Sequence, residues 1–194
     1  MVLAAAETII IEEGFNALTV RKIAMEIGYT VGSIYMVFAN MHDLATHVKG
    51  RTLDELAQQL VDYVPAGGIE QHIQALADTY LAFAAQHFNR WRMIFDVQSD
   101  EPPPEWYQQK IENMFAVVEV LFKQLTPDRS AEQSQLAART LWSGVHGICI
   151  LSLTGKPQAS DIEAARPGVN LLVNTFIQGW KAAPHRADAM PPEK

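Results

Sequence analysis

A chain of 194 residues with 48% hydrophobic and 19% charged residues is long and apolar enough to bury a core, which excludes a disordered protein. Its formal net charge of −7 argues against a protein that coats nucleic acid through charge alone. The single cysteine, Cys149, excludes an internal disulfide, and the chain shows neither a basic leader nor an apolar run of membrane length, so a cytoplasmic protein with no membrane segment is expected.

Apolar residues recur at spacings of three and four along the whole chain, which predicts an all-α fold of about nine helices. The first four are predicted to begin near residues 2, 19, 30 and 40, and the fourth to reach about residue 63. Thr19, Thr30 and Asn40 are the expected N-cap residues. Gly14 and Gly28 are the expected stops, because glycine tolerates the left-handed conformation found past helix ends.

The second half of the chain continues the helical pattern between breaks at proline and glycine. Its helices are predicted over 70–87, 90–95, 105–125, 130–154 and 169–181. An acidic, proline-rich loop is expected at 96–104. A disordered tail is expected at 185–194.

Residues 20–38 have the pattern of a helix-turn-helix. Ala24 supplies the small residue where the two helices cross, and Gly28, four positions later, supplies a turn residue that tolerates positive φ. The positions that this motif buries are Ile23, Ile27, Ile34 and Val37. The pattern indicates DNA binding, although the first fifty residues hold more acidic than basic side chains.

The stretch LTVRKIAMEIGYTVGSIYMVFANMHDL resembles the headpiece of the tetracycline-repressor (TetR) family. The matching residues are Thr19, Ile23, Ala24, Gly28, Ser33, Tyr35, Phe38 and Leu44. The segment LWSGVHGICILSLTGK, with Trp142, His146 and Gly147, resembles the C-terminal domain of the Trp-His-Gly branch of that family, and HFNRWRMIFD fits the same branch. The resemblance implies a ligand-responsive transcriptional regulator, by family default a repressor, that binds a palindromic operator as a homodimer.

That resemblance also implies an organisation and a set of DNA contacts. Residues 1–44 would form the helix-turn-helix DNA-binding domain, and 45–184 a helical ligand-binding and dimerisation domain. Thr19 and Tyr35 would offer hydroxyls to phosphate, and Arg21 and Lys22 would lie near the backbone of double-stranded DNA. The residues implied to face the major groove are Thr30, Val31, Gly32, Ser33 and Met36. Val31 or Met36 could touch a thymine methyl.

The chain departs from the family at positions that usually contact phosphate. Met41 stands where the family has a lysine, and Met36 and Val37 stand where aromatic or basic residues are common. The short basic arm before the first helix is also missing. A truncated start, weak DNA binding, and the reading of unusual bases through apolar contacts are all compatible with these differences.

Aromatic residues are concentrated in the C-terminal part, where the resemblance implies a pocket for a small-molecule effector. The candidate ligand-binding residues are Tyr80, Phe83, Trp91, Phe95, Trp106, Tyr107, Phe115, Trp142 and His146. The expected ligand is neutral or weakly cationic and partly aromatic. The fourth helix is expected to carry the signal, because it joins the headpiece to the pocket.

An apolar stripe on the last helix predicts a homodimer built on the last two helices, because a terminal helix is expected to have few partners in its own subunit. Small residues on the preceding helix would let the helices approach closely. The candidate interface residues are Ser143, Gly147, Leu151, Val169, Leu172, Val173, Phe176, Ile177 and Trp180.

Other classes of function find little support in the sequence. It contains no Gly-rich phosphate loop, no nucleophile elbow and no supported Cys-His pair, so no catalytic residues are assigned. The histidines lack paired metal-ligand spacing, so neither a metal nor a cofactor is expected. The alternative that remains is a helical dimeric protein that has lost DNA binding and acts through protein or ligand contacts.

Overall fold

The computed structural model describes residues 1–63, 65–96, 102–153 and 157–183. These residues form nine α-helices and no strand, which confirms the all-α prediction. The helices are α1 (Val2–Glu13), α2 (Val20–Ile27), α3 (Val31–Tyr35), α4 (Met41–Asp62), α5 (Ile69–Gln86), α6 (Phe88–Asp96), α7 (Glu105–Leu125), α8 (Ala131–Ser152) and α9 (Ala159–Ala182). None of them combines the length and the apolar composition needed to cross a bilayer.

The capping residues lie where the sequence predicts them. The side-chain oxygen of Thr19 accepts a hydrogen bond from the third residue of α2, and those of Thr30 and Asn40 do the same for α3 and α4. Gly28 ends α2 with φ of 70°, in the left-handed region that favours glycine. Local hydrogen bonding therefore accounts for the starts of α2, α3 and α4.

The last helix is longer than the sequence predicts. It begins at Ala159, ten residues before the predicted start, where Gln158 and Asp161 cap each other reciprocally. Pro167 lies inside this helix and removes one backbone hydrogen bond. Burial of Ala165 and Val169 on either side of the proline stabilises the continuous helix. The predicted tail, and most of the acidic loop, lie outside the described residues.

Two hydrophobic cores share one helix. The first joins α1, α2, α3 and the start of α4, together with Met93 of α6, and the second joins the rest of α4 with the helices from α5 to α9. Leu44 and Val48 of α4 are buried in the first core, and Leu53 and Leu56 in the second. The helix α4 thus passes from one core to the other without a break.

Candidate nucleic-acid interface and ligand cavity

The helix-turn-helix is formed by α2 and α3, which pack against each other over small and aliphatic side chains. Ile23, Ala24 and Ile34 are buried between them. The prediction for Val37 is wrong, because this side chain is 71% exposed. The helix α3 ends at Tyr35, and Phe38 instead supplies the second inward contact beyond Ile34.

The outward face of α3 is largely apolar. Met36 is 87% exposed, Gly32 and Tyr35 are also exposed, and Val31 is half-buried. The hydroxyls of Thr30 and Ser33 lie 2.9 Å apart and hydrogen bond to each other, while Thr30 also accepts from the Ser33 amide. The polar groups on this face therefore largely satisfy one another.

Few cations are available around this face. Lys22 pairs with Glu13, and Arg51 pairs with Glu7 at 3.0 Å. Arg21 is exposed and has no ion pair among the residues that the structure describes. Thr19 is exposed next to it, and its hydroxyl caps α2. The local charge is thus as weak as the composition of the first fifty residues suggests.

A cavity of about 280 Å³ lies between α4, α5, α6, α7 and α8. Its lining is formed by His42, Thr46, Lys49, Leu53, Leu56, Tyr80, Ile94, Phe95, Pro103, Tyr107, Ile111, Met114, Phe115 and Trp142. Five of these were candidates from the sequence: Tyr80, Phe95, Tyr107, Phe115 and Trp142. The cavity is mostly apolar and aromatic, as a small-molecule site usually is.

Four sequence candidates lie elsewhere. Phe83 and Trp91 are completely buried in the core of the second half. Trp106 lies outside the cavity, stacked on His47 with ring centroids 4.7 Å apart. His146 is not among the lining residues but lies behind Tyr80. Helical periodicity identifies inward-facing side chains, but it does not tell which of them border a void.

The residues that sequence reasoning missed come mainly from α4. His42, Thr46, Lys49, Leu53 and Leu56 follow one another at steps of four and three and therefore share a face. That mixed polar and apolar stripe was the available signal. Lys49 enters the lining as a buried side chain.

A buried hydrogen-bond chain supports the wall of the cavity. The indole N–H of Trp91 donates to the hydroxyl of Tyr80 at 2.9 Å, and that hydroxyl lies 2.9 Å from Nδ1 of His146. Burial lowers the pKa of His146, so its imidazole is neutral at pH 7. Because the Tyr80 oxygen already accepts from Trp91, the hydroxyl donates its own hydrogen bond to Nδ1 of His146. Burial also raises the pKa of Tyr80 and raises that of Tyr107 to about 12. This part of the wall is uncharged.

One polar group in the lining is incompletely satisfied. The indole nitrogen of Trp142 is buried and makes no hydrogen bond of standard geometry among the described residues, although it lies close enough to the Tyr80 hydroxyl to oppose the rise in the pKa of that group. Its ring stacks on His146 with centroids 5.0 Å apart and an interplanar angle of 13°. A poorly paired buried donor is costly, and a bound ligand is one way to satisfy it.

The predicted dimer stripe on α9 needs correction. Val169, Val173 and Ile177 are at most 1% exposed within their own subunit, and Leu172, Phe176 and Trp180 pack against the same core. The argument from the sequence failed because α9 packs on α5 and α8 of its own chain. The three candidates on α8 differ: Ser143 and Leu151 are exposed, and Gly147 is half-buried.

In the ranges 1–63, 65–96, 102–153 and 157–183, no group of three or more His, Cys, Asp or Glu side chains is arranged to hold a metal ion. Cys149 is buried, and burial raises the pKa of its thiol to about 12.

Two protein-family models match the chain. Residues 2–48 match the family of bacterial regulatory proteins described as tetR family, and residues 73–174 match the family described as tetracyclin repressor-like, C-terminal domain. An uncharacterised HTH-type transcriptional regulator of Mycobacterium tuberculosis is 24% identical over 159 residues, which cover 82% of this chain and 72% of the relative.

Solved structures share the fold. A protein of unknown function from Rhodococcus sp. RHA1 superposes with a TM-score of 0.74 at 17% identity, covering 92% of each chain. The transcriptional regulator FadR from Bacillus subtilis, solved in complex with stearoyl-CoA, superposes with a TM-score of 0.66 at 14% identity, covering 95% of this chain and 98% of that one. At these identities the likeness is one of fold.

Proposed function

Because the chain belongs to the tetracycline-repressor family of DNA-binding transcriptional regulators, which are not enzymes, we propose that it is a ligand-responsive repressor. It binds a palindromic DNA operator as a homodimer and releases it when a small molecule fills the cavity. A twofold dimer would place its two recognition helices in successive major grooves, roughly 34–36 Å apart.

The helix α4 carries this proposal. His42 and Thr46 of its first turns line the cavity, while Leu44 and Val48 from the same turns are buried in the headpiece core. A ligand that shifts the first turns of α4 therefore reorients the headpiece. We place the functional division of the chain at residue 44, inside this helix. A coupling of about 1–3 kcal/mol between the two sites would be typical.

The DNA contacts follow from the exposed residues of the headpiece. We assign phosphate contacts to Thr19, Arg21, Lys22 and Tyr35. Groove contacts are assigned to Thr30, Val31, Gly32, Ser33 and Met36. The shortage of cations favours an alternative function, that of a dimer that has lost DNA binding. The salt dependence of DNA binding distinguishes the two functions.

We expect the protein to bind specifically to the DNA upstream of its own gene, with an affinity that depends only weakly on salt concentration. If Arg21 and Lys22 act in both subunits, the slope of log K against log salt should be about −4, from roughly −0.9 per neutralised phosphate. Arg21→Ala should weaken binding and reduce the slope by about 2, because two copies are lost. Fluorescence anisotropy between 50 and about 200 mM salt measures both quantities.

The matched control is Arg166→Ala, which removes a half-buried arginine of α9 that pairs with Asp78. Its affinity and slope should equal those of the wild type. Wild-type protein that binds neither its upstream DNA nor any selected duplex at low salt would favour the alternative function.

The cavity suggests the class of the ligand. A volume of about 280 Å³ lies at the lower end of ligand pockets, which are typically about 300–1,000 Å³. Apolar and aromatic side chains dominate the lining, and the Trp142 indole offers one incompletely satisfied donor. We infer a small, ring-containing and mostly apolar molecule with one hydrogen-bond acceptor, in contrast to the stearoyl-CoA held by the Bacillus subtilis regulator.

Trp142→Phe should affect ligand binding more than the stability of the free protein. Removing the indole N–H relieves a poorly paired donor, but the smaller ring loses part of the stacking on His146, so the two effects on stability offset one another. The same change should weaken binding of a ligand with an acceptor by about tenfold, the value of one hydrogen bond. Acetophenone and ethylbenzene are suitable probes, because they share a ring and differ at the carbonyl; calorimetric titration and thermal unfolding give the two readouts.

The control variant is Trp106→Phe, since Trp106 lies outside the cavity and stacks on His47. This variant should bind acetophenone more tightly than ethylbenzene by the same factor as the wild type does. Equal affinities of wild type and Trp142→Phe for acetophenone would contradict the donor role.

We propose that the dimer forms through the outer face of α8 and α9. On α8, Ser143, Gly147 and Leu151 follow one another at steps of four and share one face, and Leu171 of α9 is exposed. A Cβ added at Gly147 would meet no described atom within 4 Å, so a partner helix can approach closely there. Two helices from each subunit would make a four-helix interface.

We also propose that the chain belongs to the Trp-His-Gly branch of the family. Trp142, His146 and Gly147 support this relation because each has a distinct place in the fold. Trp142 lines the cavity, His146 accepts from Tyr80, and Gly147 opens onto the outer face.

A further inference from the structure

The recognition helix carries no side chain that reads bases through paired hydrogen bonds. Residues 29–39 contain no Arg, Lys, Asn, Gln, His, Asp or Glu. Those are the residue types that distinguish guanine, adenine and cytosine in the major groove. The hydroxyls of Thr30 and Ser33 bond to each other, and Thr30 also caps the helix, so the pair retains one free O–H donor and cannot make the paired contact of a longer polar side chain.

What α3 offers instead is apolar surface. Helical spacing places Gly32 and Met36 opposite the buried Ile34, and Val37 follows in the turn after the helix. We call the two exposed neighbours Met36 and Val37 the methyl patch. Met36 and Val37 are among the most exposed apolar side chains of the described residues, although aqueous exposure of such groups is unfavourable.

The backbone of α3 can come close to a surface. Gly32 lies opposite the buried Ile34, and a Cβ added there would meet only the hydroxyl of Thr30, at 3.7 Å. The space beyond it is open, so the groove floor can approach the helix. Arg21 and Tyr35 are both exposed on the helix-turn-helix and carry groups suited to phosphates, which favours a duplex over a protein as the occupant.

We propose that the methyl patch recognises the 5-methyl groups of thymines, so that the operator half-site is rich in thymine where α3 enters the major groove. The thymine methyl is the apolar group that distinguishes a base pair in that groove. This inference rests on the proposed DNA-binding function and deepens it by naming the sequence class of the operator.

The test starts with full-length protein and a library of random duplex DNA. Selected half-sites should be enriched in thymine at two or more positions. Replacing one contacted thymine by deoxyuridine in each half-site removes only the methyl groups and should lower affinity by about fourfold per methyl, or roughly 15-fold for the pair. A G·C pair placed at the same position should bind better when its cytosine carries a 5-methyl group.

Variants identify the side chain that contacts the thymine methyl group. Met36→Gln should abolish sensitivity to deoxyuridine at one position of each half-site. It should fold normally, because Met36 is exposed. The matched control, Val61→Gln, changes an exposed apolar residue near the far end of α4 and should retain full sensitivity.

The outcomes separate the two levels of the proposal. Selection of a defined site whose affinity is unchanged by deoxyuridine would overturn methyl recognition and leave DNA binding intact. Failure to select any sequence at low salt would overturn the DNA-binding function and the methyl inference with it. Loss of affinity with deoxyuridine that disappears in Met36→Gln supports both.

Discussion

Replacing Leu151 and Leu171 together by glutamate is expected to convert the proposed dimer to a monomer and to weaken operator binding by more than about a hundredfold. Both side chains are exposed, at 83% and 69%, so the change leaves the core of the subunit intact. Across a twofold axis the same surface patch faces its own copy, so the new charges would repel one another. A monomer then loses the gain from binding two half-sites at once, which is typically 10²–10⁴-fold.

Sedimentation equilibrium and fluorescence anisotropy on the selected operator measure the two effects, and circular dichroism verifies the fold. The control adds the same charge elsewhere, through Val61→Glu combined with Tyr63→Glu, both exposed at the end of α4. This variant should remain dimeric and bind DNA normally. A dimer that survives the change at Leu151 and Leu171 would place the interface on another surface.

Tyr80→Phe is expected to lower the free energy of unfolding by about 2–4 kcal/mol. The Tyr80 hydroxyl accepts from the indole of Trp91 and lies 2.9 Å from Nδ1 of His146, so its removal leaves a buried donor and a partly buried acceptor unpaired. Each such group costs about 1–3 kcal/mol. In a protein of this size the Tm should fall by roughly 4–16 °C, at about 2–4 °C for each kcal/mol. Differential scanning calorimetry and urea unfolding measure the change.

Tyr107→Phe is the matched control for Tyr80→Phe. Tyr107 is equally buried and lines the same cavity, but its hydroxyl makes no hydrogen bond within the described residues. Its removal should leave the stability unchanged or raise it slightly. If both variants unfold at the same temperature, the hydrogen-bond chain through Tyr80 does not stabilise the cavity wall.

The cavity shows how much of the candidate ligand site can be predicted from the sequence. Tyr80 and Phe83 lie three residues apart on α5, and both are buried, yet Tyr80 borders the cavity and Phe83 does not. Trp106 and Tyr107 are adjacent, and one lies outside on His47 while the other lines the cavity. Helical periodicity identifies which face of a helix is buried. Which residues of that face border a cavity depends on how the five surrounding helices pack together.

The sequence by itself determined the features that depend on contacts within about four residues. These are the helical periodicity, the caps at Thr19, Thr30 and Asn40, the left-handed turn at Gly28 and therefore the helix-turn-helix. Intrahelical hydrogen bonds and caps are local, so a short stretch of sequence is sufficient to specify them.

Only the tertiary structure decided which helices pack against each other. Val173 and Ile177 have the apolar spacing of an interface, yet they are buried in their own subunit because α9 packs on α5 and α8. Pro167 is held inside α9 although its local preference is to break a helix. Burial against residues far away in the chain outweighs local preference in both cases, and such contacts leave no fixed spacing in the sequence.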